Sequence, residues 1–493
     1  MTATTDFTGL TDLDLISDII ANKKFYNEIK KEIEQFVDAS SSDNVSFPLD
    51  KEIVGMLSDM KKHLGKMQEK NIPYSEVGNL NNFWKKILIK SIQCLRFFDK
   101  REPFQKNPDK TIVAYGIENL VSYYRSYTNF EGLLYGANAN YRDHIFHVMR
   151  TWLIGLYVII KKGFDIKDID GLRTGWQDFG ELTKCEKISM WTIIAFCHDL
   201  GYPLEKSKDI LKETQKMMKE IVADPKITAD FSFTGTQMSI NEYIVKFIST
   251  KMKSSQENDT YLGRIQPKYY LKLSKSLEDF NHGIISSIVI YKTLLYFLES
   301  DFNLNDDYQY SKEDARQFYI RREILRAIAA HTCPDIYNIK VSTFSSLLYI
   351  CDEMQNWGRK NWHELYTASE TKKCGVRIVD FCDSKINYEE HIIISKKSNI
   401  EVIAQEIFNR QYSKFKKKFR DGQDSASRKF DIIDKIIIEQ DIDGVDKPKV
   451  IIEMKILGNN QSDQFEIHGE NCEITKDHDS IKNSIFYNEF KLV

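Results

Sequence analysis

Several features that would indicate a particular class of protein are missing from the sequence. The formal net charge of the 493-residue chain is only −3, so no overall basic field favours a nucleic-acid partner. The longest apolar runs, WLIGLYVII and IISSIVIYKTLLYFL, are shorter than the roughly 20 residues of a membrane-spanning helix, and the second contains Lys292. The first residues have neither the basic nor the apolar segment of a signal peptide. We therefore expect no membrane partner.

Closely spaced cysteine pairs are also missing. The eight cysteines are scattered along the chain, and none of them forms a C-x-x-C pair. Scattered cysteines in a long chain are typical of reduced thiols and not of a disulfide framework. Together with the absence of a signal peptide, this pattern predicts a cytoplasmic protein.

The patterns of apolar residues divide the chain into three regions. A chain of 493 residues is too long for one hydrophobic core, so two or three domains are expected. Amphipathic patterns predict a helical N-terminal region over residues 1–108. Helical patterns continue over residues 109–371, where several begin at a capping residue such as Ser239 or Ser311. The predicted fold class is therefore mainly α, with an all-helical central domain.

Residues 372–493 are richer in β-branched residues and predict a small α+β domain. Four segments rich in β-branched residues, GVRIVDFC, HIIISKK, KFDIIDKIIIEQD and KPKVIIEMKIL, predict strands. Between the second and third, IEVIAQEIFNRQYSKFKKKFRDG predicts an amphipathic helix. Its basic cluster KFKKKFR is interpreted as a solvated helix face, although a ligand site is the alternative. The segment GNNQSDQFEIHGENCEITKDHD predicts a surface loop or a loose tail.

Histidine is scarce, and half of it lies in the middle of the chain. Five of the ten histidines lie between residues 144 and 331, at or near apolar faces of predicted helices. His198 and Asp199 end one such helix in the stretch AFCHDLGYP, in which Gly201 and Pro203 predict that the helix stops. Five predicted helices together offer these candidate metal ligands: His147, His198, Asp199, His282, His331 and Asp352.

Each of these residues also has an ordinary structural interpretation. A lone histidine on an apolar helix is more often a hydrogen-bonded core residue, and Asp352 alone could join two helices. The hypothesis of a metal site depends on the order H…HD…H…H…D within one helical region. Helical bundles build metal sites in this way, from side chains on facing helices.

The residue types indicate the chemistry of such a site. Imidazole and carboxylate ligands together favour transition-type divalent ions, so manganese, iron, zinc or nickel are expected, with magnesium less favoured. In an adjacent His-Asp pair the imidazole can bind one ion while the carboxylate bridges to a second. Two ions a few ångström apart would generate a bridging hydroxide at neutral pH and would clamp phosphoryl oxygens.

With this pattern the sequence resembles the HD superfamily of metal-dependent phosphohydrolases, over roughly residues 110–360. The resemblance implies an all-α domain that hydrolyses a phosphate ester or anhydride of a nucleotide-type substrate. It implies that the first metal is bound by His147, His198, Asp199 and Asp352, that Asp199 bridges, and that His282 and His331 complete the second metal site.

Two differences argue against membership of particular branches of the superfamily. Although Gly201 to Pro203 read GYP, the branch that cleaves cyclic di-GMP has this motif far downstream, and Thr332 stands where a second histidine is often found. The cyclic-di-GMP branch is therefore not indicated. Cyclic nucleotide phosphodiesterases of the mammalian type have an HN-x-x-H signature, whereas this chain reads DHIFH, with His144 three residues before His147.

Three functions remain open at this stage. The first is a binuclear phosphohydrolase in which Asp199 is catalytic through the metals and His144 is the candidate general acid. Lys206, Arg142 and Arg326 are candidates for contacts with phosphate oxygens, although each could be a solvated surface charge. The second is a nucleotide-binding sensor without turnover. The third, less favoured, is a nuclease that acts on single-stranded nucleic acid, for which YSKFKKKFR is the one suggestive segment.

Overall fold

The structure of the chain is a computed structural model, and it describes most of the helical regions and the strands of the C-terminal region. The described residues are 9–37, 45–68, 77–100, 114–137, 144–223, 226, 236–255, 260–299, 303, 308–337, 339–355, 371–382, 385–394, 407, 411–412, 414–415, 418–419, 431–440, 449–456 and 464–470. The candidate residue Arg142 lies outside them.

The described part of the chain is mainly helical, as the sequence predicts. Its N-terminal helices are α1 (Asp12–Ala21), α2 (Lys23–Glu34), α3 (Lys51–Gln68) and α4 (Val77–Phe97). The central helices are α5 (Ile117–Ala137), α6 (Ile145–Ile160), α7 (Lys184–Cys197), α8 (Tyr202–Lys219), α9 (Thr236–Ser249), α10 (Pro267–Glu278), α11 (His282–Thr293), α12 (Leu295–Leu298), α13 (Lys312–Thr332) and α14 (Phe344–Met354). None of the helices described is both long and apolar enough to cross a lipid bilayer.

Helix α7 lies at the centre of the helical part, because α4, α6 and α13 all pack against it. It begins at a capping box in which Thr183 and Glu186 satisfy each other's backbone N–H groups. Near its end, the indole N–H of Trp84 donates to the carbonyl of Phe196 at 3.1 Å. Almost every residue of α7 is buried. The two residues that follow α7, His198 and Asp199, are therefore held inside the protein.

A small sheet interrupts the region that the sequence predicted to be all-helical. Strands β1 (Thr250–Ser254), β2 (Tyr261–Ile265) and β3 (Gln309–Tyr310) pair antiparallel in the order β1-β2-β3. The predicted helix SINEYIVKFISTKM ends three residues early, at Ser249. The side chains of Thr250 and Met252 are buried while that of Lys251 is exposed, which is the alternation of a strand. The expectation of a wholly helical domain is therefore wrong here.

A second predicted helix is divided in two. The pattern over residues 283–300 predicted one helix, but Leu294 has extended backbone angles (φ −99°, ψ 114°) between α11 and α12. The N–H of Leu295 donates instead to the carbonyl of Tyr115 at 3.2 Å. This contact with the segment before α5 replaces a hydrogen bond of the helix.

The C-terminal region contains a five-stranded sheet in the order β4-β5-β6-β7-β8. Its strands are β4 (Thr371–Cys382), β5 (Lys385–Ile394), β6 (Asp431–Gln440), β7 (Lys449–Ile456) and β8 (Gln464–Glu470). Strands β4, β6 and β7 include most of their predicted segments, whereas β5 begins six residues before the predicted HIIISKK and overlaps only its first four residues. Strands β5 and β6 are parallel, and the described residues between them, from 407 to 419, are helical, as a parallel crossover requires. The prediction of a loop over residues 458–479 is wrong for β8, which pairs with β7.

The C-terminal sheet packs against the helical part. The rings of Phe164 and Phe381 meet edge to face with centroids 4.9 Å apart. The backbone N–H of Leu10, just before α1, donates to the carbonyl of Val376 on β4 at 2.8 Å. Residues from all three predicted regions therefore contribute to one hydrophobic core.

Helices α8 and α11 come unusually close beside His198. Helix α7 ends as predicted, but Gly201 is the N-cap of α8, so the GYP stretch also begins the next helix. The Ser286 hydroxyl on α11 donates at 2.7 Å to the carbonyl of His198 or to that of His282, and it accepts the N–H of Gly201 at 2.8 Å. A Cβ on Gly201 would lie only 2.4 Å from the carbonyl oxygen of His282 and 2.7 Å from Cβ of Ile285. Glycine is required because backbone atoms occupy this space.

We predict that Gly201→Ala destabilises the protein by about 1–3 kcal/mol, because the added methyl group forces α8 and α11 apart. Unfolding in urea measures this change. Gly55→Ala is the matched control: Gly55 lies on the exposed face of α3, with nothing within 4 Å of the added Cβ. There the substitution should stabilise the helix by about 0.5–1 kcal/mol. Equal effects of the two substitutions would contradict the steric explanation.

Candidate metal centre

The structure brings all six predicted ligands together. They come from the ends of helices: His198 is the C-cap of α7, His282 is the first residue of α11, and His331 lies in the last turn of α13. His147 lies in the first turn of α6. Asp352, which the sequence placed within a helical pattern, lies in the last turn of α14. One end of each of the five helices thus points at a common centre.

One group of ligand atoms surrounds the carboxylate of Asp352. Its Oδ1 lies 2.8 Å from Nε2 of His147 and 3.7 Å from Nε2 of His198. The three ligand atoms of His147, His198 and Asp352 lie within 4.8 Å of one another. This spacing can hold one metal ion.

A second group surrounds the carboxylate of Asp199. Its Oδ1 lies 3.2 Å from Nε2 of His282, 3.5 Å from Nε2 of His198 and 3.6 Å from Nε2 of His331. Its other oxygen, Oδ2, lies 3.5 Å from Nε2 of His147 in the first group. Asp199 thus reaches both groups, as the resemblance implies for a bridging ligand.

Each histidine is oriented by a hydrogen bond at its other ring nitrogen. Nδ1 of His198 donates to the carbonyl of Ala195 at 2.8 Å, and Nδ1 of His331 donates to the carbonyl of Ile328 at 2.5 Å. These acceptors fix the tautomer in which Nε2 carries a lone pair and faces the centre. Both histidines therefore present Nε2 as a ligand.

Two residues that the sequence analysis missed orient the remaining histidines. Nδ1 of His282 is 2.7 Å from Oε2 of Glu205, which also accepts the backbone N–H of His282 at 2.9 Å. Nδ1 of His147 is hydrogen-bonded to Oε1 of Gln355, a fully buried side chain. The acidic first turn of α8 was a signal for Glu205, whereas nothing in the sequence pattern indicated Gln355.

The donor atoms fit a divalent metal ion. Nε2 of His198 and Nε2 of His331 are buried and make no hydrogen bond to any described residue. Burial would raise the pKa of Asp199, but the imidazoles of His198, His282 and His331 hold it well below its ordinary value. Deprotonated imidazoles and an ionised carboxylate are the donors that zinc, manganese, iron or nickel prefer, so a metal ion bound here would take the place of the Nε2 protons.

His144 lies beside the centre, outside both groups of ligand atoms. It is the N-cap residue of α6, and its Nε2 is 3.9 Å from Oδ2 of Asp199. Behind it, Glu131 accepts its backbone N–H at 2.6 Å and lies 3.7 Å from its Nδ1. The ring of Tyr202 packs on it with centroids 3.9 Å apart. This position suits a proton donor that does not bind metal.

Of the predicted phosphate-binding side chains, only Lys206 is described near the centre. Its Nζ is 3.0 Å from Oε1 of Glu205 and 5.3 Å from the centroid of the Tyr202 ring. Arg326 is instead almost fully buried, where its Nε donates to Asp170 at 3.0 Å. Its guanidinium is therefore engaged in the core of the protein, and a role in binding phosphate is not supported.

Comparisons of the chain with protein-family models, with curated proteins and with solved structures gave no match. The geometry of the centre therefore carries the functional argument.

The pair of His282 and Glu205 predicts a pH dependence in the metal-free protein. Burial lowers the pKa of His282, but its hydrogen bonds to Asp199 and Glu205 outweigh burial and raise the pKa to about 9. A raised pKa in the folded state contributes stability that is complete below the ordinary pKa of 6.5 and is lost as the pH rises through about 9. Glu205→Gln should therefore be most destabilising at the acidic end of this range.

Urea unfolding of chelator-treated protein measures this effect. The difference in unfolding free energy between wild type and Glu205→Gln should shrink as the pH rises from 6.5 to about 9. The control is Glu242→Gln, which removes an exposed ion pair with Lys246 of 2.6 Å. Lysine stays charged over this range, so the control difference should be constant. A constant difference for Glu205→Gln would refute the assignment.

Proposed function

We propose that the protein is a binuclear metal-dependent phosphohydrolase of the HD type that cleaves a phosphate ester or anhydride of a nucleotide-type substrate. One observation carries the proposal: six residues predicted from their order alone meet, from five helices, with their ligand atoms facing one another. The buried Nε2 atoms of His198 and His331, which make no hydrogen bond within the part of the chain that the structure describes, give further support, because an ordinary structural histidine would be satisfied.

The two groups of ligands divide between two ions. His147, His198 and Asp352 would hold the first, His282 and His331 would hold the second, and Asp199 would join them. Divalent ions bound there would supply Lewis acidity and would lower the pKa of water to near neutrality. The protein contributes the fixed orientation of every imidazole, through Ala195, Ile328, Glu205 and Gln355.

The chain's own side chains can manage the leaving group and the phosphate. His144 can donate a proton to the departing oxygen, with Glu131 behind its ring to stabilise the imidazolium. Lys206 lies on the more open side, with 29% of its side chain exposed, where it can meet a phosphate oxygen. Tyr202, between His144 and Lys206, offers a ring at the same entrance. These groups support a phosphorylated substrate, and its nucleotide character rests on the resemblance.

The alternative of a single-strand nuclease receives less support. Of the basic cluster KFKKKFR, Lys418 is buried and Lys414 is paired with Glu353 at 2.8 Å. Lys418 is therefore not accessible to a nucleic-acid backbone, and Lys414, although exposed, is already paired. A sensor that binds nucleotides without turnover remains the competing function, and the first experiment below separates the two.

We predict that wild-type protein binds two divalent ions and hydrolyses bis-p-nitrophenyl phosphate, and that Asp199→Asn loses activity on the order of 100-fold or more. The loss is expected because Asp199 contacts both groups of ligands. Metal content by elemental analysis and nitrophenolate release measure the two effects. The control is His468→Gln on β8, an exposed histidine. Equal activity of Asp199→Asn and wild type would refute the proposal, and nucleotide binding without turnover in any metal would favour the sensor.

We predict that His144→Asn retains both metal ions but lowers kcat by about 10²- to 10⁴-fold on substrates with a poor leaving group. Cyclic nucleotides release a sugar alkoxide, which needs a proton, whereas p-nitrophenolate leaves without one. The loss should therefore be large for cyclic nucleotides and small for bis-p-nitrophenyl phosphate. An equal loss on both substrates would show that His144 acts on the structure of the centre and not as the acid.

A further inference from the structure

The basic cluster KFKKKFR, residues 414–420, has no part in the proposed reaction, and three of its four described residues do not lie on the predicted solvated face. Phe415 and Phe419 are buried, and only 6% of Lys418 is exposed. These residues belong to the helical segment between β5 and β6, here called the crossover segment, described at 407, 411–412, 414–415 and 418–419. Phe415, Lys418 and Phe419 therefore pack into the protein, whereas Lys414 is exposed.

Lys418 binds the end of the helix that carries His331. Its Nζ donates to the carbonyls of Ala330 at 3.2 Å and Cys333 at 2.7 Å, the residues on either side of His331 and Thr332. The last carbonyls of a helix lack intrahelical partners and carry the negative end of the helix dipole. A buried ammonium group is costly unless it is paired, so this contact holds both the lysine and the end of α13 in place.

The crossover segment also contacts the helix that carries Asp352. The rings of Phe415 and Phe419 pack on Tyr349 of α14, with centroids 6.1 and 5.9 Å away. Both carboxylate oxygens of Glu353, the residue after Asp352, lie 2.8 Å from Nζ of Lys414. The segment thus meets the two ligand-bearing helices α13 and α14 within one turn of their ligands.

The same segment is joined to the C-terminal sheet. Tyr388 on β5 packs against Phe415 with centroids 6.3 Å apart, and it is fully buried. Contacts therefore run without interruption from the sheet through Phe415 to Tyr349 and the helix of Asp352. The C-terminal region is placed to hold the metal centre although it supplies none of its six ligands.

We propose that Lys418 is a positioning residue for the metal centre, because it fixes the end of α13 from which His331 enters the second group of ligands. The C-terminal region then contributes to metal binding by positioning His331. This inference rests on the proposed binuclear site. It predicts that loss of Lys418 weakens binding of the ion held by Asp199, His282 and His331. Binding of the ion held by His147, His198 and Asp352 should be unchanged.

Titration of the metal-free, full-length protein with cobalt tests this prediction. Calorimetry and the visible absorption of Co²⁺ measure the affinity of each binding step. Lys418→Met should weaken one of the two binding steps by about 10- to 100-fold and leave the other unchanged. Lys418→Arg keeps a charged donor and should recover part of the loss. The control is Lys275→Met, which removes an exposed ion pair of 3.2 Å with Asp335, in the loop that follows α13.

The outcomes separate this inference from the proposed function. If wild type binds no cobalt, both are overturned. If wild type binds two ions and Lys418→Met binds them equally well, or weakens both steps alike, only the positioning role is overturned. Should Lys418→Met fail to fold by circular dichroism, Lys418→Gln, which keeps an N–H donor without the charge, decides by the same titration, and unchanged binding overturns the proposal.

Discussion

The burial of one carboxylate, that of Asp199, is the constraint on which the rest of the centre depends. An ionised carboxylate inside a protein is costly unless opposite charges or ligands compensate it. Four imidazoles lie within 3.6 Å of its two oxygens, and those of His198 and His282, whose pKa values are raised, supply positive charge in the metal-free protein. Three of the four belong to other helices, so α6, α11 and α13 must all end at the point where α7 delivers Asp199. The buried core around α7 serves this purpose, because it leaves that helix no freedom to rotate.

The convergence of six ligands from five helices brings helix backbones close to one another around the centre. Gly201 and Gly283 supply the space for this: a Cβ on Gly283 would lie 2.4 Å from the carbonyl oxygen of Ile328 on α13. Ser286 then uses one hydroxyl to connect the backbones of His198, Gly201 and His282. The small residues thus allow the close helix packing that brings the candidate ligands together.

The sequence predicted the mainly helical fold, and the six residues that it singled out lie close together in the structure. Periodicity marked the helix ends of His198 and His282, whereas Asp352 was expected inside a helix and lies in its last turn. The sequence could not predict Gln355 or Glu131, since their roles depend on which distant helix faces them. The same reason explains Lys418, whose acceptors lie 85 and 88 residues away along the chain. Local pattern likewise could not distinguish β1 from the continuation of α9, or β8 from a loop, because pairing with a neighbouring strand decides both.

The unsatisfied nitrogens of His198 and His331 connect function to stability. Each buried polar atom without a partner costs roughly 1–3 kcal/mol, a large fraction of the stability of a typical domain. A sequence selected for stability alone would replace these histidines with apolar residues. They are tolerable if a metal ion satisfies both in the working protein, since binding only to the folded state returns free energy that grows with metal concentration. The hydrogen bonds at Nδ1 cannot relieve this cost, because they point each Nε2 toward the centre, where it makes no hydrogen bond to a described residue. If the proposed metal binds here, the imidazoles are oriented for it before it binds, at the expense of the metal-free fold.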